Sequence, residues 1–376
     1  MIKNSNRFST AMWDFSWATR RFGNEAEYAS WPKVLDELAE RGYDSVRIDA
    51  FPYLIGHGKA VILPQRKHFM WGNHSKVEIC PDDDLIQFVQ LCAERNIKVG
   101  ISSWFIPDAE NRHLTIATPA DFANIWNQTL TLLDTHDLLG EILWVDLCNE
   151  FPLDIWAPGA TKEIFGRTYS TPLGVGTRSL PWSQTQLDRT QRYFDEAISE
   201  LKQKWPNLEF CFSFSEVTGS SLRRLDVGAF DLGEIHCWLT DDILWSVSSL
   251  QMLALLEVPV GSRWHALSTM NYSQSKLLKL VDRVLEPQMQ KWANWAGKHN
   301  LPLVTTEGWG PVNYKDQSRL EGEWNWVKNF SELAVDKAIT KGWKGICSSN
   351  FCQPHHKGMW QDLNWHKQIT EAIRNE

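Results

Sequence analysis

The stretch WPKVLDELAERGYDSVRID (residues 31–49) joins an amphipathic helix directly to a short apolar strand. Its apolar residues recur at helical spacing and Gly42 follows as a helix stop, so one face of the helix can pack on a sheet. The same plan recurs in DDDLIQFVQLCAERNIKVG (82–100), RYFDEAISELKQKWPNLEF (192–210) and PQMQKWANWAGKHNLPLV (287–304). Four copies of one helix-to-strand unit predict a single wound α/β barrel with a parallel sheet.

Eight strand-like apolar runs alternate with helix-like segments, which is the pattern of a (β/α)8 TIM barrel. The runs cover residues 8–15, 44–49, 97–104, 141–148, 208–215, 231–238, 301–308 and 345–351. Long loops are expected after strands 2, 4 and 6, whereas the helix between the fifth and sixth strands must be short or missing. No linker or internal repeat divides the chain. One catalytic barrel domain covering residues 1–376 is therefore predicted.

The composition argues against several classes of partner. The formal net charge is −8 and the sequence pI is about 5.8, so no surface for nucleic acid is expected. No apolar run reaches membrane-spanning length, and the first residues lack the apolar stretch of a secretory signal. The seven cysteines lack C-x-x-C spacing. A cytoplasmic location is expected, with a trimmed secreted protein as the alternative, and nothing indicates an oligomeric state.

Two glutamates stand where predicted strands end. Glu150 closes the fourth strand in WVDLCNEF, and Glu307 closes the seventh in LPLVTTEGWG. The carboxyl ends of all eight strands meet at one face of a barrel, so both side chains are expected at its mouth. Two facing carboxyls about 5 to 5.5 Å apart are the geometry of glycoside hydrolysis with retention of configuration. Each glutamate alone is a weak signal, and their joint placement carries the prediction.

Tryptophan is unusually frequent, with 21 residues. Most are expected in the core, because an indole is a large apolar surface. Flat rings can also stack on the apolar faces of sugars, and a polar pocket walled by indoles suits a carbohydrate. The candidates for such a wall stand at or beyond strand ends: Trp17, Trp104, Trp238 and Trp309. Asp14 is a further candidate to line the sugar site, and for Asp14 and Trp17 a turn role is the alternative.

With these residues the chain resembles the retaining glycoside hydrolases of clan A, the 4/7 superfamily that includes family 5 and cellulase-like proteins. The resemblance implies that Glu150 is the acid/base, that Asn149 binds the 2-hydroxyl of the substrate, and that Glu307 is the nucleophile. Arg47 in VRID is similar to the strand-two arginine that supports the nucleophile, and His236 in EIHCW to a strand-six histidine of the site.

The chain departs from the family 5 pattern at three places. Trp238 stands where family 5 members usually have a tyrosine that bonds the nucleophile. Ser102, Ser103 and Trp104 occupy the region of the usual strand-three histidine, and CSSNFCQP (347–354) has no tryptophan at the end of the eighth strand.

The resemblance implies a retaining hydrolase that acts on a short β-linked oligosaccharide or glycoside. No metal or organic cofactor is expected, and His57, His68 and His74 lack the tight spacing of a metal site. Two alternatives stay open. One is a carbohydrate-binding barrel without turnover, suggested by the missing tyrosine and histidine, and the other is a metal-dependent sugar isomerase.

Overall fold

The structure is a computed structural model that describes residues 2–23, 26–63, 75–166, 181–239, 278–279, 281–310 and 324–375. Eight parallel strands form its centre, and the fifth and seventh are each split into two short segments. Their bounds are Phe8–Asp14, Ser45–Asp49, Lys98–Ser102, Ile142–Asp146, Phe210–Cys211 with Phe214–Ser215, Gly233–Trp238, Leu303–Thr305 with Gly308–Trp309, and Gly345–Cys347. All eight predicted strands are therefore confirmed, with shorter ends than the apolar runs indicated.

Parallel pairing closes these strands into a ring. The first strand pairs with the second and the eighth, with Phe8 opposite Gly345. The fourth strand pairs with Phe210–Cys211, while Phe214–Ser215 pairs with the sixth strand, so the split fifth strand bridges both neighbours. The sixth, seventh and eighth strands complete the circuit. This is the (β/α)8 barrel that the sequence predicts.

Helices cover the outside of the ring. The α-helices are Ser16–Thr19, Trp31–Glu40, Pro81–Ala93, Pro119–Asp134, Pro158–Phe165, Gln184–Arg192, Ile198–Lys204, Glu216–Leu222, Glu286–His299, Asn325–Thr340, Lys357–Trp360 and Leu363–Asn375. Two π-helical turns, Tyr193–Ala197 and Val281–Leu285, lead into the helices that follow them, and short 3-10 turns cover Ile2–Asn4, Pro52–Leu54, Arg112–Thr115 and Leu139–Glu141.

Local chemistry explains where several helices begin. Thr118 and Asp121 form a reciprocal capping box, and Ser30 caps the helix that starts at Trp31. Proline occupies the first turn in both, where its missing N–H costs no hydrogen bond. Between the fifth and sixth strands the helix Glu216–Leu222 is short, as expected.

The long loops carry structure that periodicity did not predict. The loop after the second strand contains an antiparallel pair, Ala60–Ile62 with Val77–Ile79, and the loop after the fourth contains the helix Pro158–Phe165. The intervening segments 64–74, 167–180 and 240–277 lie outside the described residues, and so do His68 and His74. No helix within the described ranges combines the length and apolarity that a membrane crossing requires.

Candidate active site

The structure brings Glu150, Glu307 and His236 together at the carboxyl ends of the strands. Glu150 follows the fourth strand, Glu307 lies between the two segments of the seventh, and His236 is in the sixth. One oxygen of each carboxyl and one nitrogen of the imidazole all lie within 4.8 Å of one another. The two glutamates predicted as a pair from opposite halves of the sequence thus face one small volume.

Backbone strain gathers at this mouth of the barrel. Asp14 ends the first strand, and Phe51, Phe105 and Glu150 follow the second, third and fourth; each of the four has a positive φ between 42° and 49°. A non-glycine residue in this region is held there by its surroundings, and such residues concentrate at functional sites. The strained turn at Glu150 is supported by its own N–H, which donates to Ser213 Oγ at 2.9 Å.

Arg47 is a buried cation that contacts several carboxylates of the site. Its guanidinium contacts three acidic groups: Nη2 lies 2.6 Å from Asp146 Oδ2, Nε 3.0 Å from Glu234 Oε1, and Nη1 3.3 Å from Glu307 Oε1. Nη2 also donates to Asn149 Oδ1 at 2.8 Å. A planar fork of donors suits such multiple recognition better than an ammonium, so Arg47 can fix several side chains at once.

Glu234 and His236 point to the same interior because residues two apart in a strand share a face. Glu234 Oε2 accepts a hydrogen bond from Trp144 Nε1 at 2.7 Å, and Oε1 accepts one from Thr306. His236 Nε2 lies 3.6 Å from Glu234 Oε1, while Nδ1 lies 3.2 Å from Glu150 Oε1 and 3.5 Å from Glu307 Oε2. The imidazole is therefore surrounded by carboxylates on both of its nitrogens.

This arrangement makes His236 a cation. Burial alone would lower its pKa, but the charge of Glu307, the hydrogen bond to Glu150 and the nearby Glu234 carboxylate outweigh that effect and raise the pKa to about 10. Glu234 is held ionised in turn, because Arg47 and His236 overcome the cost of burial and lower its pKa. The two buried cations, Arg47 and His236, are thus outnumbered by the carboxyl groups around them, those of Asp146, Glu150, Glu234 and Glu307.

The excess of carboxyls leaves a proton in the cluster. Burial raises the pKa of Glu307 to about 7, with His236 and Arg47 opposing the rise and the neighbouring Glu150 adding to it. Interacting carboxyls lose their protons in steps that belong to the pair. Near neutral pH both the acid and the carboxylate form of Glu307 are therefore populated.

The surroundings of Glu150 prepare it for contact with a ligand. Trp156 Nε1 donates to Glu150 Oε2 at 2.9 Å, opposite the oxygen that faces His236. The neighbouring Asn149 is fully buried, and its Nδ2 has no hydrogen-bond partner within the described residues. A buried donor without a partner is costly, so a ligand acceptor beside Glu150 would satisfy it.

The other predicted site residues divide into two groups. Trp104 and Asp14 lie at the mouth. Arg47 Cζ stands 4.4 Å from the centroid of the Trp104 ring. The negative charge of Glu307 helps to raise the pKa of Asp14. Trp238 is buried at the end of the sixth strand, two residues beyond His236.

Trp17 and Trp309 are fully buried, and the indole N–H of each donates to a backbone carbonyl. Trp17 Nε1 donates to the Asp49 carbonyl at 2.9 Å, and its ring packs on Phe88 with centroids 4.6 Å apart. Trp309 Nε1 donates to the Cys347 carbonyl at 3.2 Å, and its ring lies 6.4 Å from that of Trp343. Both indoles are satisfied by protein groups, which is the expected behaviour of core tryptophans.

The sequence did not predict several residues that bind the catalytic side chains or the residues next to them. Asp146 accepts from Ser102 Oγ at 2.6 Å and from the Ser213 N–H at 2.7 Å, and Trp156 reaches Glu150 from the following loop. Glu234 was within reach, because it stands two residues before His236 and must share its face. The others carry no signal in a single sequence.

Glu150, His236 and Glu307 also offer three ligand atoms that lie within 4.8 Å of one another, as a metal site would require. A metal ion there would have to displace the proton that the neighbouring carboxyls favour on the imidazole of His236. Arg47 already places a positive charge 3.3 Å from Glu307. The donor set therefore fits a proton and a neutral ligand better than a divalent cation.

Comparison with known proteins adds an independent line of support. A profile of the cellulase-like family, described as sugar-binding cellulase-like, matches residues 10–374. A crystal structure of a Parabacteroides distasonis protein, assigned provisionally as a glycoside hydrolase, is 32% identical and has a TM-score of 0.78, covering 98% of this chain and 94% of that chain. None of the curated proteins compared with the chain matches it.

More distant structures share the fold. Thermotoga maritima Cel5A, solved with mannotriose, is 12% identical with a TM-score of 0.57, and 98% of each chain is covered. An endo-1,4-β-D-mannanase of Thermotoga petrophila is 11% identical with a TM-score of 0.50, covering 91% of this chain and 87% of that chain. At these identities the likeness concerns the barrel alone.

Proposed function

We propose that this chain, which belongs to the sugar-binding cellulase-like family, hydrolyses a β-linked glycoside with retention of anomeric configuration. The family and the fold support a glycosidase in general. The retaining mechanism rests on one observation, the approach of Glu150 and Glu307 to within 4.8 Å across a site at the strand ends, and the β-linkage is proposed from the resemblance to clan A glycoside hydrolases. That separation leaves no room for a water between the carboxyls and a sugar, as inversion would require.

In the first step, the ionised Glu307 attacks the anomeric carbon while the bond to the leaving oxygen breaks. Glu150 gives its proton to that oxygen, so the products are a free alcohol and a glycosyl ester on Glu307. Arg47, 3.3 Å from Glu307, stabilises the carboxylate before attack. Asn149 would bind a sugar hydroxyl through its unpartnered Nδ2.

In the second step, the now ionised Glu150 takes a proton from water as the water oxygen attacks the anomeric carbon. The ester bond breaks, Glu307 leaves as a carboxylate, and Glu150 is protonated again. Two inversions at one carbon give net retention. The His236 cation, 3.2 Å from Glu150 Oε1, stabilises the anionic form of Glu150 once Glu307 has become a neutral ester.

The substrate is proposed to be a short β-linked oligosaccharide or glycoside. The loops after strands 2 and 4 bring a hairpin, Ala60–Ile62 with Val77–Ile79, and a helix, Pro158–Phe165, beyond the strand ends. Added structure around one face of a barrel favours a pocket over an open cleft. The carbohydrate is the proposed partner, and no cofactor is required by the mechanism.

The test is activity of Glu150→Gln and Glu307→Gln on alkyl and unsubstituted phenyl β-glycosides, whose departing oxygen needs a proton. Both variants are expected to lose more than about 1,000-fold in kcat/KM, since each removes a group needed in the transition state. Glu209→Gln is the matched control, because Glu209 is a buried glutamate that binds the Ile2 N–H outside the mouth and should retain activity. Full activity in either of the first two variants would refute the mechanism.

Alanine variants with azide distinguish the two roles. In Glu307→Ala, azide would attack the substrate directly and give an α-glycosyl azide. In Glu150→Ala, azide would attack the glycosyl ester and give the β-anomer. The reverse pattern would exchange the two assignments.

A carbohydrate-binding barrel without turnover is the second candidate. It is favoured by the position of His236, whose cation stands between both carboxyls at 3.2 and 3.5 Å and could neutralise the nucleophile. Sugar binding that is equal in the wild type and both Gln variants, with no product from any β-glycoside, would support this candidate.

A further inference from the structure

Where the ends of the first and eighth strands meet beside Glu307 lies a cluster of buried polar side chains, here called the recess: Asp14, Asn350, Gln353 and His356. The segment Asn350–His356, here called the eighth-strand loop, follows the strand Gly345–Cys347. The Asn350 N–H donates to the Gly308 carbonyl at 2.5 Å, directly after Glu307. Gln353 Nε2 donates to Asp14 Oδ2 at 3.4 Å, which joins this loop to the end of the first strand.

The recess contains an unusual density of buried polar atoms without partners in the described part of the chain. They are Asn350 Nδ2, Asn350 Oδ1, Gln353 Oε1 and His356 Nε2. Asn350 and Gln353 are fully buried, and His356 is 1% exposed. Most buried polar atoms in folded proteins have hydrogen-bond partners, so four such atoms in seven residues call for a ligand or ordered water.

The atoms offer both kinds of hydrogen-bonding group. The Asn350 amide supplies a donor and an acceptor, and Gln353 Oε1 is an acceptor. A sugar hydroxyl both donates and accepts, so a mixed set of this kind matches a polyhydroxylated ring. Asn149 Nδ2, in the residue before Glu150, adds another unpartnered donor.

We propose that the eighth-strand loop, through Asn350 and Gln353 together with Asp14, binds hydroxyl groups of the sugar ring held between Glu150 and Glu307, and selects a neutral ring over an acidic one. This deepens the proposed function, on which it rests for the position of the ring.

Selection for a neutral ring follows from the charges nearby. Burial raises the pKa of Asp14 to about 8, against hydrogen bonds from Ser16 and Gln353, so the carboxyl is largely protonated at pH 7 and can donate to a hydroxyl. A sugar carboxylate here would face Glu307 and, at higher pH, an ionised Asp14, whereas the two cations beside Glu307, Arg47 and His236, are already paired with further carboxyls of the site. Arg20 is the cation whose charge lowers the pKa of His356, and its guanidinium is already paired with Glu27 at 3.1 Å.

Equilibrium binding separates this inference from catalysis. Calorimetric titration of Glu307→Gln, which needs no turnover, uses methyl β-glucoside, β-mannoside and β-galactoside, their monodeoxy analogues, and methyl β-glucuronide. The best neutral sugar is expected to lose roughly 10-fold in affinity on removal of at least one hydroxyl, the effect of one buried hydrogen bond. In Glu307→Gln with Gln353→Met, the same removal should cost less than about 2-fold.

Asn350→Leu provides a second test of the same coupling if Gln353→Met does not fold. Gln288→Leu is the matched control, since Gln288 is a buried glutamine on the outer helix Glu286–His299 whose Oε1 also has no partner. The control should leave every deoxy effect unchanged.

Three results would overturn the inference: equal deoxy effects with and without the Gln353 amide, binding of the glucuronide as tight as that of the best neutral sugar, or no binding by any neutral sugar. The first would mean that the recess holds only water. Sugar binding with normal coupling but no hydrolysis by the wild type would refute the proposed hydrolysis and leave the recess standing.

Discussion

Replacing Arg47 with methionine should shift the pH dependence of the first chemical step. Arg47 is fully buried and contacts Asp146, Glu234 and Glu307, so Arg47→Met removes a positive charge without opening the site to water. The group that reports the loss is Glu307, whose pKa stands at about 7 with Arg47 holding it down. Without that cation the carboxylate is harder to form, and attack begins only at higher pH.

The size of the shift follows from the 3.3 Å between Arg47 Nη1 and Glu307 Oε1. With an effective dielectric constant near 20, two unit charges at this distance attract by about 5 kcal/mol. The net effect is smaller, because His236 stays beside Glu307, and opposite charges at close range typically move a pKa by about 1 to 3 units. A rise of about 2 units would lower the ionised fraction at pH 7 roughly 50-fold.

The assay is kcat/KM for a 2,4-dinitrophenyl β-glycoside between pH 5 and 10. This leaving group departs without a proton, so only the ionisation of the nucleophile shapes the acid side of the profile. The wild type should rise through about pH 7, as Glu307 loses its proton. Arg47→Met should rise about 2 pH units later and recover much of its activity near pH 10.

Stability must be measured alongside, since leaving buried carboxylates unpaired costs about 3 to 5 kcal/mol. Arg41→Met is the control: Arg41 is a buried arginine that donates to the Trp360 carbonyl at 3.0 and 2.8 Å, away from the carboxyls. It should lose stability without moving the profile. An unmoved acid side in Arg47→Met, or equal movement in both variants, would refute the electrostatic reasoning. Arg47→Lys, which keeps a charge, should fall between the two.

Three further results are expected. Because the pKa of Asp14 is raised to about 8 in the folded state, its ionisation lowers stability as pH rises from about 4 to 8, so the melting temperature of Asp14→Asn should gain on that of the wild type between pH 5 and 9; a constant difference would contradict this. Gly100→Ala would push a Cβ into the Trp144 ring and should cost about 1 to 3 kcal/mol in thermal unfolding, whereas Gly140→Ala, with open space around it, should cost far less. Trp156→Phe removes the indole hydrogen bond to the proposed acid and should lower kcat/KM about 10-fold for poor leaving groups, with little change for dinitrophenyl glycosides; equal losses for both would assign the indole a packing role.

The barrel could be predicted because its signals are periodic. Apolar runs such as ILWVD and the helix stop at Gly42 are repeated features of local sequence, and the placement of Glu150 and Glu307 at one mouth follows from parallel strands alone. The approach of both carboxyls to within 4.8 Å agrees with that placement. Periodicity did not show the hairpin in the loop after the second strand, because its strands have only three residues each.

The positions of individual tryptophans could not be predicted from the sequence pattern. Trp17 and Trp104 both stand just past strand ends, yet one packs on Phe88 in the core and the other lies against Arg47. Strand alternation assigns a face only while the strand continues, and Trp17 sits in the short helix Ser16–Thr19.

The polar side chains of the eighth-strand loop could not be predicted for a related reason. Asn350 and Gln353 occupy irregular backbone, where no period links a side chain to a direction. Glu234, by contrast, could have been found from His236, because the two are separated by one residue in a regular strand.

The proton NMR spectrum of the sugar released in the first minutes of hydrolysis tests the shared role of Glu150 and Glu307 most directly. Attack by one carboxyl followed by attack of water predicts that the β-anomer of the product appears first and the α-anomer only later, by mutarotation. Initial release of the α-anomer, or no release from any β-glycoside, would contradict the double-displacement mechanism.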